Sequence, residues 1–303
     1  MTFWLLVGFL LLALAVTAYA LLESQRVQHR HVEVCLDTLP EGFDGYTILY
    51  LTDPHFQRVD PRKTRVLANL SAPPPDLCVV TGDLIEKDEA ILTCQKALAA
   101  LQARDGVFYV LGNHDYFQYS LLDAFRDRPS TDRPNDVERL IRVLDRAGLR
   151  LLRNQSVPLR RGGATVWLAG VDDPVTGRDD LGKTLSGVPP GAFSILLSHS
   201  PDVLHGAALP GEHLVLAGHT HGGQILLPFW GPMKNHSKLK PGFVSGKLTL
   251  PQATLLVSNG LGVNHNFPFR FRCRPEVLTV RLRKRSRAAV GDEGSVPNIH
   301  GFV

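Results

Sequence analysis

Apolar residues are arranged along this chain in three ways, each predicting a different kind of element. The first is one unbroken run. Thr2 to Leu22 carries no charged side chain and is almost wholly apolar. As a helix rising ~1.5 Å per residue it would span roughly 31 Å, close to the ~30 Å hydrocarbon core of a bilayer. The second is a set of short β-rich runs: His31–Leu36, Tyr46–Leu51, Leu77–Val80, Val107–Leu111, Ala164–Leu168, Ser194–Leu197, Leu214–Ala217, Thr254–Val257 and Val277–Leu282. The third places apolar residues at helical spacing over Arg62–Leu70, Glu89–Gln102 and Asp136–Ala147. Asp60-Pro61 supplies an N-cap and an N1 proline for the first of these helices. Short strands interspersed with helices predict an α/β core of two sheets with helices on the outer faces.

The N-terminal run has two readings. Ala18-Tyr19-Ala20 has the small-x-small form of a signal-peptide cleavage site, but no Lys or Arg precedes the run, which exceeds a usual signal core. The favoured reading is therefore a transmembrane anchor over 2–22, with export through a cleaved signal peptide as the alternative. Arg26 and Arg30 follow the run. Positive charge on that side predicts that the rest of the chain faces the cytoplasm. Residues 23–31 then form a juxtamembrane linker, 32–282 the main domain, and 283–303 a basic, disordered tail.

Composition changes this picture little. The 303 residues are 44% hydrophobic and 20% charged, which fits an ordinary globular domain. Lys and Arg outnumber Asp and Glu by 33 to 29, for a net charge of +4. Much of that excess lies in one tail, so no stable nucleic-acid partner is expected. The four cysteines form no CxxC pair, which argues against a zinc ribbon or a disulfide framework.

Candidate chemistry collects where the apolar runs end. Leu49–Thr52 leads into Asp53-Pro54-His55, and Cys78–Thr81 into Gly82-Asp83. Phe108–Leu111 leads into Gly112-Asn113-His114-Asp115, Ile195–Leu197 into Ser198-His199, and Leu214–Ala217 into Gly218-His219-Thr220-His221. In an α/β sheet the strand ends are where sites are assembled. A DxH, a GD or a GNH alone marks little more than a turn; five such endings together predict a site.

Asp53, His55, Asp83, Asn113, His199, His219 and His221 offer more ligands than one ion needs, so two ions are implied. Imidazole and carboxylate without thiolate suit Mn, Fe, Zn or Co. Two ions about 3.5–4 Å apart stabilise both the attacking and the leaving oxygen of a phosphoryl displacement. A carboxylate is the natural bridge between them, and Asp83 fits that part.

These motifs resemble the ordered signature of the calcineurin-like metallophosphoesterase family: DxH, GD, GNH(D/E), H and GHxH. The resemblance implies an αββα sandwich over about Val32–Leu282 with a dinuclear centre at one sheet edge, manganese being the first candidate metal. It implies Asp53, His55 and His221 as ligands of one ion, Asp83 as the bridge, and Asn113, His199 and His219 as ligands of the other. His114 is similar to the family histidine that assists the transition state without binding metal, and Asp115 would orient it. The anchor, Gly218–Gln224, Ser258–Gly262 and Pro268–Phe271 resemble a membrane-anchored bacterial branch of phosphodiesterases and UDP-2,3-diacylglucosamine pyrophosphatases of lipid A synthesis. That likeness implies the inner membrane and a lipid-linked phosphorylated substrate. Arg270 and Arg272 are candidates for a bidentate phosphate contact or for an exposed structural role, and Phe229 and Trp230 for contact with an acyl chain or the membrane or for pinning their loop to the core. The competing functions are a general membrane-tethered phosphodiesterase, a nuclease of the same fold, and a non-catalytic scaffold. Against the scaffold, no ligand of the signature is missing.

Overall fold

A computed structural model of the chain describes residues 1–70, 73–120, 123, 131–207, 209, 211–235, 237–239, 242–251, 253–264 and 267–285. It holds two six-stranded sheets. The first runs β1 (Gln28–Leu36), β14 (Glu276–Lys284), β2 (Thr47–Leu51), β3 (Leu77–Thr81), β4 (Val107–Val110) and β5 (Arg150–Leu151). The second runs β12 (Gly246–Leu250), β13 (Ala253–Val257), β9 (His213–Ala217), β8 (Ser194–Ser198), β7 (Ala164–Gly170) and β6 (Gln155–Arg161). Strands β2, β3, β4 and β5 are mutually parallel, as are β7, β8, β9 and β13.

Alternation along each strand sorts its side chains between layers. Ile48 and Tyr50 of β2 join Val79, Phe108, Leu168, Ile195, Leu197, Leu214 and Leu216 in a core between the sheets. Leu49 and Leu51 point the other way, into a layer shared with α2 (Pro61–Ala68), α3 (Ile91–Leu98) and α5 (Val137–Arg146). The far face of the second sheet packs Leu196, Val215 and Leu255 against Leu181 and Leu185 of α6 (Leu181–Ser186). The result is the expected αββα sandwich. Asp60 caps α2 by accepting from the Lys63 N–H at 3.2 Å, with Pro61 as the first helical residue.

Every predicted strand is present, but the boundaries differ at both ends of the domain. β1 starts at Gln28, so four residues read as linker belong to the sheet, paired in register with β14 from Gln28↔Glu276 onward. β14 continues through Lys284, taking in Arg283 and Lys284 from the stretch read as tail; residues 286–303 lie outside the described part.

The N-terminal run forms a single helix, α1 (Thr2–Glu23), long and apolar enough to cross a membrane. Its last turn packs on the domain. Ala20 and Glu23 are buried, the Ala20 carbonyl accepts from the Arg270 N–H at 3.1 Å, and Glu23 Oε1 accepts from the Cys273 N–H at 2.7 Å.

Candidate metal centre

Because β2, β3 and β4 run parallel in the first sheet and β8 and β9 in the second, their C-terminal ends lie at one edge, and the polar endings read from the sequence converge there. Asp53 and His55 follow β2, Asp83 follows β3, Asn113 and His114 open the short helix α4 (Asn113–Tyr116) after β4, His199 follows β8, and His219 and His221 follow β9. All are buried except His219, which is half-buried.

Two clusters share one carboxylate. Asp53, His55, Asp83 and His221 bring one ligand atom each within 4.8 Å of one another, as do Asp83, His199 and His219. Asp83 Oδ2 lies 3.4 Å from His55 Nε2, while Oδ1 lies 3.3 Å from His199 Nε2. Asn113 Oδ1 stands 3.1 Å from His199 Nε2, placing the amide in the second cluster. The backbone is bent to achieve this. Of nine non-glycine residues with positive φ among those described, five are Asp53, His55, Asp83, His219 and His221. Each costs of order 1–3 kcal/mol and persists only where the surroundings enforce it. The flanking glycines are required for contact reasons as well. A Cβ on Gly112 would stand 2.4 Å from Asp83 Oδ1, and one on Gly218 2.0 Å from Thr52 Oγ1.

The donor set suits metal. His55 Nε2 faces His221 Nε2 at 3.2 Å, and His199 Nε2 faces His219 Nδ1 at 3.1 Å. Paired ring nitrogens with carboxylates beside them hold either a proton or a cation between their lone pairs. The far ring nitrogen of His199 is held by oxygen, its Nδ1 lying 3.1 Å from the Thr81 carbonyl, and the carboxylate of Glu86 stands 2.9 Å from His55 Nδ1. The carbonyl favours a proton on His199 Nδ1 and leaves its Nε2 free as a ligand.

The charge states are uneven. Burial raises the Asp53 carboxyl above its usual range. Burial acts the same way on Asp83, but His199, His114 and His55 outweigh it and hold Asp83 well below the usual carboxylate range. Burial would depress His199 and His114, yet Asp83 and the other carboxylates push them up to about 10 and about 9. Asp83 is thus the persistent anion of the centre.

Two readings change. Asp115 does not reach the His114 ring. Its carboxylate accepts from the Leu84, Ile85 and Gly112 N–H groups at 2.8, 3.1 and 2.9 Å, tying the loop after β3 to the turn after β4. The carboxylate beside His114 belongs to Glu86, whose Oε2 lies 3.3 Å from His114 Nδ1. Glu86 ends no apolar run, so the strand-end pattern passes over it; its signal was an acidic residue closely following Asp83.

Arg270 is fully buried and does not face solvent as a phosphate partner would. Its guanidinium donates to the backbone carbonyls of Asn259 and Gly262 at 2.6 Å each and of His221 at 3.2 Å, which shapes the loop carrying His221. Phe229 and Trp230 stand at the tip of a small hairpin of β10 (Leu226–Leu227) and β11 (Gly231–Pro232), 79% and 82% exposed. They do not line the metal cluster.

An αββα sandwich with a buried His/Asp cluster suited to two metal ions at its strand ends defines a metal-dependent phosphoesterase. A profile of the family described as calcineurin-like phosphoesterase matches residues 46–223, and the chain belongs to that family. It is a hydrolase acting on phosphoester bonds. It is 30% identical to the metallophosphoesterase YkuE of Bacillus subtilis (strain 168) over 86% of this chain and 87% of that one. It is 29% identical to a bovine (Bos taurus) transmembrane protein with metallophosphoesterase domain, over 83% of this chain and 56% of that protein. It is 28% identical to the UDP-2,3-diacylglucosamine pyrophosphatase LpxG of Chlamydia trachomatis, over 80% of this chain and 86% of that one.

Proposed function

We propose that the chain is a membrane-tethered dinuclear phosphoesterase that hydrolyses a phosphodiester or pyrophosphate bond in a lipid-linked substrate. The observation that carries the reading is the shared carboxylate: Asp83 turns one oxygen to His55 and the other to His199. In this reading Asp53, His55 and His221 hold one ion, Asn113, His199 and His219 the other, and Asp83 both. Manganese is the first candidate, and iron, zinc and cobalt suit the same nitrogen and oxygen donors. When bound, the two ions acidify water and offset charge on the phosphoryl oxygens. The chain's own groups do the rest. His114, whose pKa Asp83 and Glu86 raise to about 9 in the metal-free protein, is the group placed to deliver a proton to the departing oxygen. Asp83, and Glu86 with its Oε2 3.3 Å from the His114 Nδ1, favour the charged form of that ring. Asp115 holds together the two loops that carry Asp83 and His114.

In the same reading α1 crosses the inner membrane and Arg26 and Arg30 keep the domain in the cytoplasm. The burial of Ala20 and Glu23 in the domain favours an intact helix over a cleaved signal. Protease added to sealed spheroplasts should spare the domain; digestion there would reverse the orientation. Tethering raises the local concentration of a membrane-held substrate. Together with the likeness to LpxG, it makes a diacylated sugar nucleotide the substrate to test. The experiment compares kcat/KM, with defined metals, for UDP-2,3-diacylglucosamine, its deacylated form and a simple chromogenic diester. Preference for the acylated compound supports the lipid reading. Equal efficiency with and without acyl chains leaves a general phosphodiesterase instead.

A further inference from the structure

Where the domain touches α1 determines how deep it sits. A groove of about 360 Å³ lies between the helix and the domain, with Val16, Thr17 and Ala20 on one wall and Phe267, Phe269 and Phe271 on the other. Measured along the helix, Val16 to Ala20 lie roughly 3–9 Å short of Leu22, the end of the apolar run, at ~1.5 Å per residue. If the apolar run fills the hydrocarbon layer, the groove lies inside that layer. Its domain wall has the composition this depth demands, since Ile225, Leu227 and Pro228 complete it and no charged residue lines it.

The hairpin that carries Leu227 and Pro228 extends the same surface. Phe229, Trp230 and Met233 are 79%, 82% and 56% exposed, a degree of exposure for large apolar side chains that calls for a covering partner. The flanking charge says which one. Arg26 just past the helix, and Arg272 and Arg274 on either side of the Cys273 that binds Glu23, are exposed and basic. Exposed aromatic residues accompanied by exposed basic residues match an anionic bilayer surface.

We propose that this face of the domain is a lipid-binding surface, with the β10–β11 hairpin seated in the bilayer and an acyl chain of a bilayer lipid lying in the groove. The proposal rests on the reading of α1 as a membrane span. It also brings the lipid close to the chemistry. Ile225 lies four residues beyond His221, and Phe271 follows the Arg270 that donates to the His221 carbonyl. A lipid in the groove would therefore touch the loop that carries a candidate metal ligand.

The test uses full-length chain in phosphatidylglycerol/phosphatidylcholine vesicles containing lipids brominated on their acyl chains. Three single-tryptophan forms are needed: Trp4 alone (W167F, W230F), Trp230 alone (W4F, W167F), and a groove reporter (F269W with W4F, W167F and W230F). Each is first shown to keep the wild-type far-UV circular dichroism spectrum and a cooperative melt, which establishes its fold. The expected result is quenching of Trp230 and of the F269W reporter comparable with that of Trp4. Quenching of Trp4 without Trp230 would overturn the hairpin's seating. Quenching of Trp230 without the groove reporter would overturn the acyl occupant, and a dimer in detergent with that reporter protected would assign the groove to a second copy. Absence of Trp4 quenching would instead reject the span itself.

Discussion

Asp83 meets a demand that no other carboxylate in the centre meets, because its two oxygens face histidines of different clusters. Asp83→Asn should therefore cost more activity than the same change at any other carboxylate of the centre, with metal content falling alongside turnover. Normal occupancy with a near-normal rate would dismiss it as the bridge. His114 makes a separable prediction, since its ring lies beside Glu86 and Tyr119 and outside the two clusters that share Asp83. His114→Ala should keep both metals and lose roughly 10²–10⁴ in rate, the usual range for a positioned acid. The loss should shrink for a nitrophenolate leaving group, which needs less protonation; equal losses for good and poor leaving groups would point to charge stabilisation instead. Among single residues, the seven candidate ligands were legible because strand-end polarity is a sequence pattern. The partners of His114 and Arg270 were not legible, since each is set by a fold that brings loops together across the chain.

At the scale of elements, the turns after β3 and β4 are held together as much by missing side chains as by bonds. A Cβ on Gly112 would also stand 2.5 Å from the Asp83 backbone nitrogen, so no rotamer change relieves it. Gly112→Ala should destabilise the protein by about 1–3 kcal/mol, the usual cost of overpacking, and weaken metal binding. Gly182→Ala is the control. Its Cβ would meet nothing nearer than Asp180 Oδ1 at 3.6 Å, in the helix α6, so its melting temperature should hold or rise. Matching melts and metal titrations for the two variants would refute the packing argument. Buried strands such as β3, whose five residues are all buried, announced themselves as unbroken apolar runs. β6 and β12 did not, because both are edge strands with polar residues alternating and, in β6, a proline in the middle.

For the whole molecule, the centre makes stability depend on pH and on metal together. His199, raised from 6.5 to about 10, contributes stability that is fully present below about 6.5 and lost as pH rises through about 10. His114, raised to about 9, acts in the same direction. Metal-free protein should therefore melt at a progressively lower temperature between pH 6.5 and 10. Bound cations replace the protons, so the loaded protein should lose less over the same range, and loading should release protons. Thermal melts with chelator and with manganese, beside calorimetry in buffers of different ionisation enthalpy, measure both. A metal-free protein whose melting temperature stays flat across that range would show that these histidines are not held charged.

What the sequence determined by itself is what is written in local order. Unbroken apolar runs marked the inner strands, helical spacing marked α2, α3 and α5, and one long uncharged run marked α1. The polar residues that end the strands became a site because parallel strands share one edge. The tertiary structure decided what depends on residues far apart in the chain meeting. It put Glu86 beside His114, turned Asp115 to the backbone and buried Arg270 behind His221. It also extended β1 back to Gln28, since a polar stretch becomes a strand when β14 is there to pair with it. Backbone hydrogen bonds to a distant partner, and burial among residues from other loops, leave no period in the sequence.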